Sequence, residues 1–429
     1  MSTRNISLSV VPLILFFIAL DSYVFYAYRT SFKKWKNYNL AKYFYFTLIA
    51  LSYTGLYFLH QNFTNKPLEA NLFQNFFIGF FFAFTAFRLV FLLVFLAEDI
   101  VRISLLIFHI ILNFFNRSDK PKAIPGRRNF IRQSGLIIAA IPFSSMLYGT
   151  AKGKYDFKVR KLKLAFENLP KAFDGFKIVQ ISDIHTGSFG DKEGVLEGIN
   201  LINKQNADVV LFTGDLVNND SREVVPFIED FKKLKAKQGV YSVLGNHDYG
   251  DYKHWPSPEE KLENQQLIHK YQQEMNFELL NNENVIFDID GEQISIIGVE
   301  NWGHKPFPKL GDLDKAVRGA EDVPFKILMT HDPTHWEDKA VPHQTHFDLT
   351  FSGHTHGMQF GIDIPGLKWS PVKFIYPKWA GLYREAKQYL YVNRGFGFIG
   401  YPGRAGIRPE ITVIELSSSL NPIKEDFSV

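Results

Sequence analysis

The sequence predicts an all-α membrane region followed by an α/β sandwich domain, and three observations predict it. The N-terminal part is crowded with Phe, Leu and Ile and broken by few charges. After about Lys152 the usage becomes that of a soluble globular domain. From Phe176 onward, short runs rich in Val and Ile alternate with amphipathic stretches, which is how buried strands joined by helices read.

A chain of 429 residues is too long for one ordinary core and implies two or more units. The expected division is a helical region over 1–116, a basic linker with an export-signal-like apolar segment over 117–157, and the globular domain over 158–429. There is no cysteine, so disulfides and thiolate metal sites are excluded, and any metal must rest on His, Asp, Glu, Asn or backbone oxygen. The net charge of +4 is small and comes largely from basic residues beside the apolar runs. It is no signal for nucleic acid, and none is expected as a partner.

Segments at about 6–28, 41–60 and 72–97 each approach the ~20 residues needed to cross hydrocarbon. A run from Ile100 to Phe115 is shorter and carries Arg102, Ser104 and His109, so it either spans or lies in the interface. A further apolar run, Gly135 to Tyr148, follows Arg127-Arg128-Asn129-Phe130-Ile131-Arg132, which looks like a twin-arginine export signal placed internally. Basic loops stay in the cytoplasm. The loop with Arg29, Lys33, Lys34, Lys36 and Lys42 should be inside, the loop around Lys66 and Glu69 outside, and the stretch with Arg117, Lys120, Lys122, Arg127, Arg128 and Arg132 inside. These agree if 100–115 does not cross, giving four spans and a globular domain on the non-cytoplasmic side of the cell membrane. If it crosses, they conflict. Asp21 and Arg88 sit near the ends of their runs and are expected to snorkel to the interface.

The strand-like runs are Phe176–Ser182, Asp208–Thr213, Val240–Gly245, Ile294–Glu300, Phe325–Thr330, Leu349–Gly353, Tyr389–Asn393 and Ile411–Leu416, with helical stretches near Lys192–Lys204 and Arg222–Leu234. Metal-binding residue types follow them. Asp183 and His185 come after the first run, Gly214-Asp215 after the second, Gly245-Asn246-His247-Asp248 after the third, and His331 and Gly353-His354-Thr355-His356 after two later ones. Strand carboxyl ends are where α/β sheets place their sites. Each fragment alone is commonplace, but five in order, each at a strand-to-loop junction, make a specific pattern.

Read together, these motifs resemble the calcineurin-like metallophosphoesterase superfamily over about Lys158 to Leu416. Flanking text such as Tyr376-Pro377, Gly381-Leu382-Tyr383 and Asn393-Arg394-Gly395 is similar to its membrane-attached bacterial branch. Met358 departs from that branch, which usually has a second Gly there, so the shape of that loop is open. The resemblance implies a four-layer α/β sandwich, two mixed sheets flanked by helices. It also implies a pair of divalent ions, one held by Asp183, His185 and His356, the other by Asn246, His331 and His354, with Asp215 bridging.

The donor chemistry agrees with that assignment. Two divalent ions bring four positive charges against two carboxylates, so the site stays net positive and attracts phosphate. Mixed His, Asp and Asn ligation suits Mn, Fe or Zn better than Ca or Mg. The reaction expected is hydrolysis of a phosphoester or pyrophosphate by a metal-bridging hydroxide. His247 is the expected general acid, and Asp248 either orients its ring or caps the next helix. Arg394 is a candidate phosphate contact, since guanidinium matches phosphate in a bidentate way. His304, His335, His343 and His346 belong to no motif and are read as ordinary polar residues. Membrane attachment points to a lipid-borne substrate, similar proteins including those that cleave UDP-diacylglucosamine, with Trp369–Tyr383 as an apolar wall or membrane rest. The alternatives are a non-catalytic metal-binding scaffold and a membrane sensor using the same fold.

Overall fold

A computed structural model describes residues 3–33, 35–65, 67–116, 125–419 and 424–426. Lys34, Lys66, Arg117, Lys120 and Lys122 of the orientation argument lie outside the described residues, as do the side chains of Arg127 and Arg128. The chain divides into two compact units, Met1–His60 with Phe73–Tyr148, and Gln61–Leu72 with Gly149–Val429.

The first unit is built from α1 (Thr3–Phe32), α2 (Tyr38–Asn65), α3 (Leu72–Asn116) and α4 (Pro125–Ala151). The run 100–115, left open by the sequence, continues α3 without a turn. At ~1.5 Å per residue that helix is about 68 Å long, more than twice the ~30 Å of hydrocarbon. Among the described residues, Leu72–Leu112 and Phe130–Ala151 are long and apolar enough to cross a membrane. An aromatic core that includes Phe17, Tyr45, Phe84 and Phe91 holds the helices together.

Asp21 and Arg88 do not snorkel. Arg88 is 1% exposed, its Nη1 donates to Asp21 at 2.9 Å and its Nη2 to Ser52 at 2.5 Å, and the guanidinium lies 4.6 Å from the Phe84 ring centroid. An uncompensated charge in this interior would cost several kcal/mol, so the two ions meet across helices instead.

The second unit contains β1 (Lys158–Ala165), β2 (Lys177–Ile181), β3 (Val209–Phe212), β4 (Val240–Ser242), β5 (Phe277–Leu279), β6 (Glu283–Ile289), β7 (Glu292–Gly298), β8 (Phe325–Met329), β9 (Leu349–Ser352), β10 (Ile362–Ile364), β11 (Leu367–Trp369), β12 (Gly381–Glu385), β13 (Gln388–Val392), β14 (Glu410–Ser417) and β15 (Lys424–Asp426). Two mixed sheets form, ordered β15-β1-β14-β2-β3-β4-β5 and β12-β13-β9-β8-β7-β6, and β10 pairs with β11 as a separate hairpin. Side chains alternate across each strand. Ile178, Val209 and Leu211 face the core between the sheets, whereas Val179, Val210 and Phe212 face a second core that includes Val195, Ile199 and Ile202 of helix Lys192–Asn203. A third core, with Leu328, Leu390 and Trp336, covers the outer face of the smaller sheet. The result is the four-layer sandwich.

All eight strand-like runs are strands. The stretch Arg222–Leu234 is mostly a tighter 3-10 turn, Ser221–Phe227, leading into a short α-helix, Ile228–Phe231. Pro226 removes a backbone donor there. The helix Pro258–Glu274 was not foreseen, because its polar composition leaves no apolar stripe to detect.

Candidate metal centre

Strands β2, β3 and β4 run parallel side by side in one sheet, and β7, β8 and β9 do so in the other. Their carboxyl ends deliver the predicted residues. Asp183, His185 and His356 form one buried group and Asp215, His331 and His354 a second, with one ligand atom from each residue within 4.8 Å of the others in its group. In the first group His356 Nε2 lies 3.0 Å from His185 Nε2 and 3.2 Å from Asp183 Oδ1. In the second, His354 Nδ1 lies 3.2 Å from His331 Nε2. Asp215 Oδ2 lies between the groups, 3.1 Å from His331 Nε2 and 3.6 Å from His185 Nε2.

Backbone and ring hydrogen bonds aim these donors. His185 Nδ1 faces Val217 O at 3.2 Å and His331 Nδ1 faces Thr213 O at 2.7 Å. Each carbonyl takes an Nδ1–H and so leaves the Nε2 lone pair for a cation. His354 is held the other way round, its Nε2 at 2.8 Å from Tyr376 Oη. The sharp turns have a cost: Asp183, His185, Asp215, His354 and His356 all have positive φ, between 50° and 71°. Such backbone strain collects where function over-determines geometry. Gly353 is required because a Cβ there would run into the Ser182 and Asp183 side chains. Met358 also sits at φ 55°, which explains why Gly is the expected residue at that position.

Two divalent ions fit these residues. Asn246 Nδ2 donates to Tyr252 Oη at 2.9 Å, while its Oδ1 is buried with no hydrogen-bond partner, an orphaned acceptor of the kind a cation satisfies. Burial pushes His185 down to about 3 and His354 down to about 4, and it holds His356 well below the usual range, so these rings stay neutral and able to ligate. Burial also raises Asp183 to about 6. His331 behaves oppositely: burial lowers it, but the Asp215 carboxylate outweighs burial and pushes it up to about 10. A cation between them would displace that proton.

His247 lies at the edge of the cluster. Its backbone N–H donates to Asp215 Oδ1 at 2.9 Å, its Nδ1 faces Asn218 O at 2.6 Å, and its ring packs edge-on to His185 with centroids 5.0 Å apart. Asp248 neither orients that ring nor caps a helix. Its Oδ2 accepts from the backbone N–H of Asp215 and Gly245, both at 2.9 Å, and its Oδ1 from those of Leu216 and Val217 at 2.8 and 3.3 Å. The carboxylate is fully buried and locks the loop after β3 onto the loop after β4.

Arg394 is not left free for the scissile phosphate. Its Nη1 lies 2.6 Å from Glu410 and its Nε 3.0 Å from Asp363, because a buried guanidinium requires carboxylate partners. The neighbouring Gly395 reaches the site instead, a Cβ there meeting Asp183 and His356. Motif reading also missed Tyr252, Asp332 and Arg404, and gave Tyr376 no role beyond its place in the flanking text. Asp332 Oδ2 lies 3.6 Å from His354 Nε2, and Arg404 Nη2 lies 3.2 Å from His356 Nδ1. The adjacency of Asp332 to His331 was the signal that could have flagged one of the missed three. Of the unassigned histidines, His304, His343 and His346 pair with Asp338, Asp314 and Asp348, and His335 is buried against Trp302.

A two-sheet sandwich carrying paired Asp and His donor sets at converging strand ends defines the metallophosphoesterase class. Comparison with known proteins agrees. A family model described as "Calcineurin-like phosphoesterase" matches residues 176–358, and one described as "Probable Calcineurin-like phosphoesterase, transmembrane domain" matches residues 4–154. The uncharacterized metallophosphoesterase YkuE of Bacillus subtilis (strain 168) is 30% identical over 261 residues, 58% of this chain and 82% of that protein. A transmembrane protein with metallophosphoesterase domain from Danio rerio is 29% identical over 294 residues, 66% of this chain and 62% of its own length. The phosphodiesterase YaeI of Escherichia coli (strain K12) is 24% identical over 295 residues, 68% of this chain and 98% of that protein. The chain belongs to the calcineurin-like metallophosphoesterase family, and its N-terminal helical unit is a transmembrane region of the kind found with that domain.

Proposed function

We propose that this protein is a binuclear metal-dependent phosphohydrolase that cleaves phosphoester or pyrophosphate bonds in a substrate met at the membrane. The observation that carries the reading is Asp215 Oδ2, within 3.6 Å of a ligating nitrogen from each donor group. When bound, two divalent ions such as Mn, Fe or Zn supply Lewis acidity and a water acidic enough to act as nucleophile near neutral pH. Asp183, His185 and His356 would hold one ion and Asn246, His331 and His354 the other, with the Asp215 carboxylate available to both.

The remaining residues orient and move protons. The Asn218 carbonyl takes the Nδ1–H of His247, leaving Nε2 to protonate the departing oxygen. Tyr252 fixes the Asn246 amide so that its oxygen, not its nitrogen, faces inward, and Tyr376 fixes the His354 ring. A non-catalytic scaffold is disfavoured because none of the seven donors or the acid is missing.

A lipid-linked substrate such as UDP-diacylglucosamine is the most concrete expectation. It is supported by the transmembrane unit and by Phe374 and Ile375, which are 77% and 69% exposed beside the metal-centre loops of the same unit. We infer further that the catalytic domain lies outside the cytoplasm, since 100–115 continues α3 and leaves four helices with basic connections between the first and second and the third and fourth. A topology reporter fused after Val429 is expected to be active only on the non-cytoplasmic side, and cytoplasmic activity would reverse the orientation.

The deciding experiment is a screen of the purified, Mn-loaded full chain against phosphomonoesters, phosphodiesters and nucleotide-linked lipids. Hydrolysis of at least one class is expected, and Asp215→Asn should abolish it together with at least one bound metal. A protein carrying two ions that hydrolyses none of them would establish the scaffold reading.

A further inference from the structure

The β10–β11 hairpin is built inside out. Its strands pair antiparallel, with Ile362 opposite Trp369, Asp363 opposite Lys368 and Ile364 opposite Leu367. Alternation therefore puts the apolar side chains on one face and the two charged ones on the other. A hairpin at a water-facing surface turns its charged face outward. Here that face turns inward: Asp363 pairs with Arg160 and Arg394, and Lys368 Nζ donates to the Ala380 carbonyl at 2.6 Å. The apolar face is left outside, with Ile362, Ile364 and Leu367 42%, 59% and 50% exposed. The turn that follows, Pro371–Phe374, adds Phe374 and then Ile375, both exposed. Contiguous exposed apolar side chains of this kind mark a contact surface.

The hairpin is tied to the end of a membrane helix. Phe130–Ala151 of α4 is long and apolar enough to cross a membrane, and from Gly149 onward it belongs to the same compact unit as the hairpin. This helix end packs on the loop before β14. Arg404 N donates to Gly149 O at 3.3 Å, and a Cβ on Gly403 would run into the Thr150 backbone. The same loop is bonded to the segment that leads into β10, with Ala405 N donating to Gln359 O at 2.7 Å and Gly361 N to Ala405 O at 3.0 Å. Ile362 follows directly. The connection Gln61–Leu72 is also part of this unit and brings it a second helix end, Leu72 lying against Gly190.

We infer that the outer face of this hairpin, together with Lys373, Phe374 and Ile375, docks on the lipid surface of the leaflet from which α4 emerges. Exposed Ile, Leu and Phe side chains suit the boundary between headgroups and acyl chains, and Trp369 suits the interface. Lys373, whose Nζ lies 5.2 Å from the Phe374 ring centroid, has a stem long enough to reach lipid phosphates beside that ring. A lipid surface is favoured over a protein partner because the chain carries the hairpin there itself, through the hydrogen bonds that join the end of α4 to the start of β10. The docking stands apart from the hydrolase reading but bears on it, since Ile375 precedes Tyr376, whose Oη lies 2.8 Å from His354 Nε2. Where that reading holds as well, the substrate class is a phosphate carried at the lipid surface.

The chain has no cysteine, so a single introduced cysteine reports position. The full chain is reconstituted in nanodiscs of phosphatidylcholine and phosphatidylglycerol, carrying a nitroxide in turn at Ile364→Cys, at Phe374→Cys and, as a control, at the exposed Gln293→Cys near the amino end of β7. Collision of each label is measured with oxygen, which concentrates in lipid, and with a water-soluble nickel chelate. The labels at Ile364 and Phe374 are expected to meet oxygen more than chelate, and the label at Gln293 the reverse. In Ile364→Asp/Leu367→Asp the label at Phe374 is expected to lose its oxygen preference, with unchanged metal content as the check on the fold. Labels at Ile364 and Phe374 as open to the chelate as the control would overturn the proposal. Labels shielded from both reagents would overturn it in favour of a protein partner or a second copy. A label at Phe374 that keeps its oxygen preference in the aspartate variant would remove the hairpin from the docking face. Docking without turnover would refute the hydrolase alone, and turnover by an undocked domain would refute this inference alone.

Discussion

Replacing Asp248 by Asn separates a structural from a catalytic role for that residue. Its two oxygens accept four backbone N–H groups at 2.8 to 3.3 Å. In the amide, one oxygen becomes an NH₂ that confronts two of those donors. Each hydrogen bond to a charged group contributes ~1.5–3 kcal/mol, so losing two costs roughly 3–6 kcal/mol, a large part of the ~5–15 kcal/mol that holds an ordinary domain together. For a domain of this size about 1 kcal/mol shifts Tm by ~2–4 °C, so a fall of at least about 6 °C is expected. The damage should extend to metal binding, since the donors are the N–H groups of Asp215 and its neighbours. The assay is thermal unfolding of the full chain in detergent, with metal content measured in parallel. A variant with unaltered Tm and two ions but a reduced rate would refute the reasoning and restore Asp248 as a partner of His247.

Two other outcomes are expected. His247→Gln should slow hydrolysis by about 10² to 10⁴ with metal content intact, and the loss should shrink for esters of acidic phenols, whose leaving oxygen needs no proton; an equal loss for all leaving groups would exclude the general-acid role. Met358→Gly should raise thermal stability by about 0.5–1 kcal/mol, because the left-handed backbone at φ 55° costs a side chain ~1–2 kcal/mol and glycine's greater entropy loss returns part of it; an unchanged or lower Tm would mean that the partly exposed Met358 side chain makes contacts that outweigh the strain.

Much of the fold was legible because buried strands write themselves as Val- and Ile-rich runs. Those of β2, β3, β8 and β9 are buried on both faces and read without ambiguity. β1 did not, because Lys158, Arg160, Lys161 and Lys163 interrupt its apolar residues. The candidate donor groups were legible for a related reason: each residue follows its strand within a few positions, so sequence order and spatial order coincide.

Asp248 and Arg394 were misread because their partners are decided across loops. Local spacing puts Asp248 next to His247, whereas folding turns it back on the N–H groups after β3. Arg394 finds Glu410 and Asp363 only once β14 and the β10–β11 hairpin are in place. Asp21 and Arg88 belong to the same group, being 67 positions apart and on different helices.

What the sequence by itself determined is the succession of strands and the family resemblance, together with seven candidate donors, since these rest on residue types placed at strand ends that local hydrophobic pattern reveals. Which carboxylate holds a loop, and which ions pair across helices, were decided only by tertiary structure. Buried charge must be matched by whatever the fold brings within a few ångströms, and that match carries no mark along the chain.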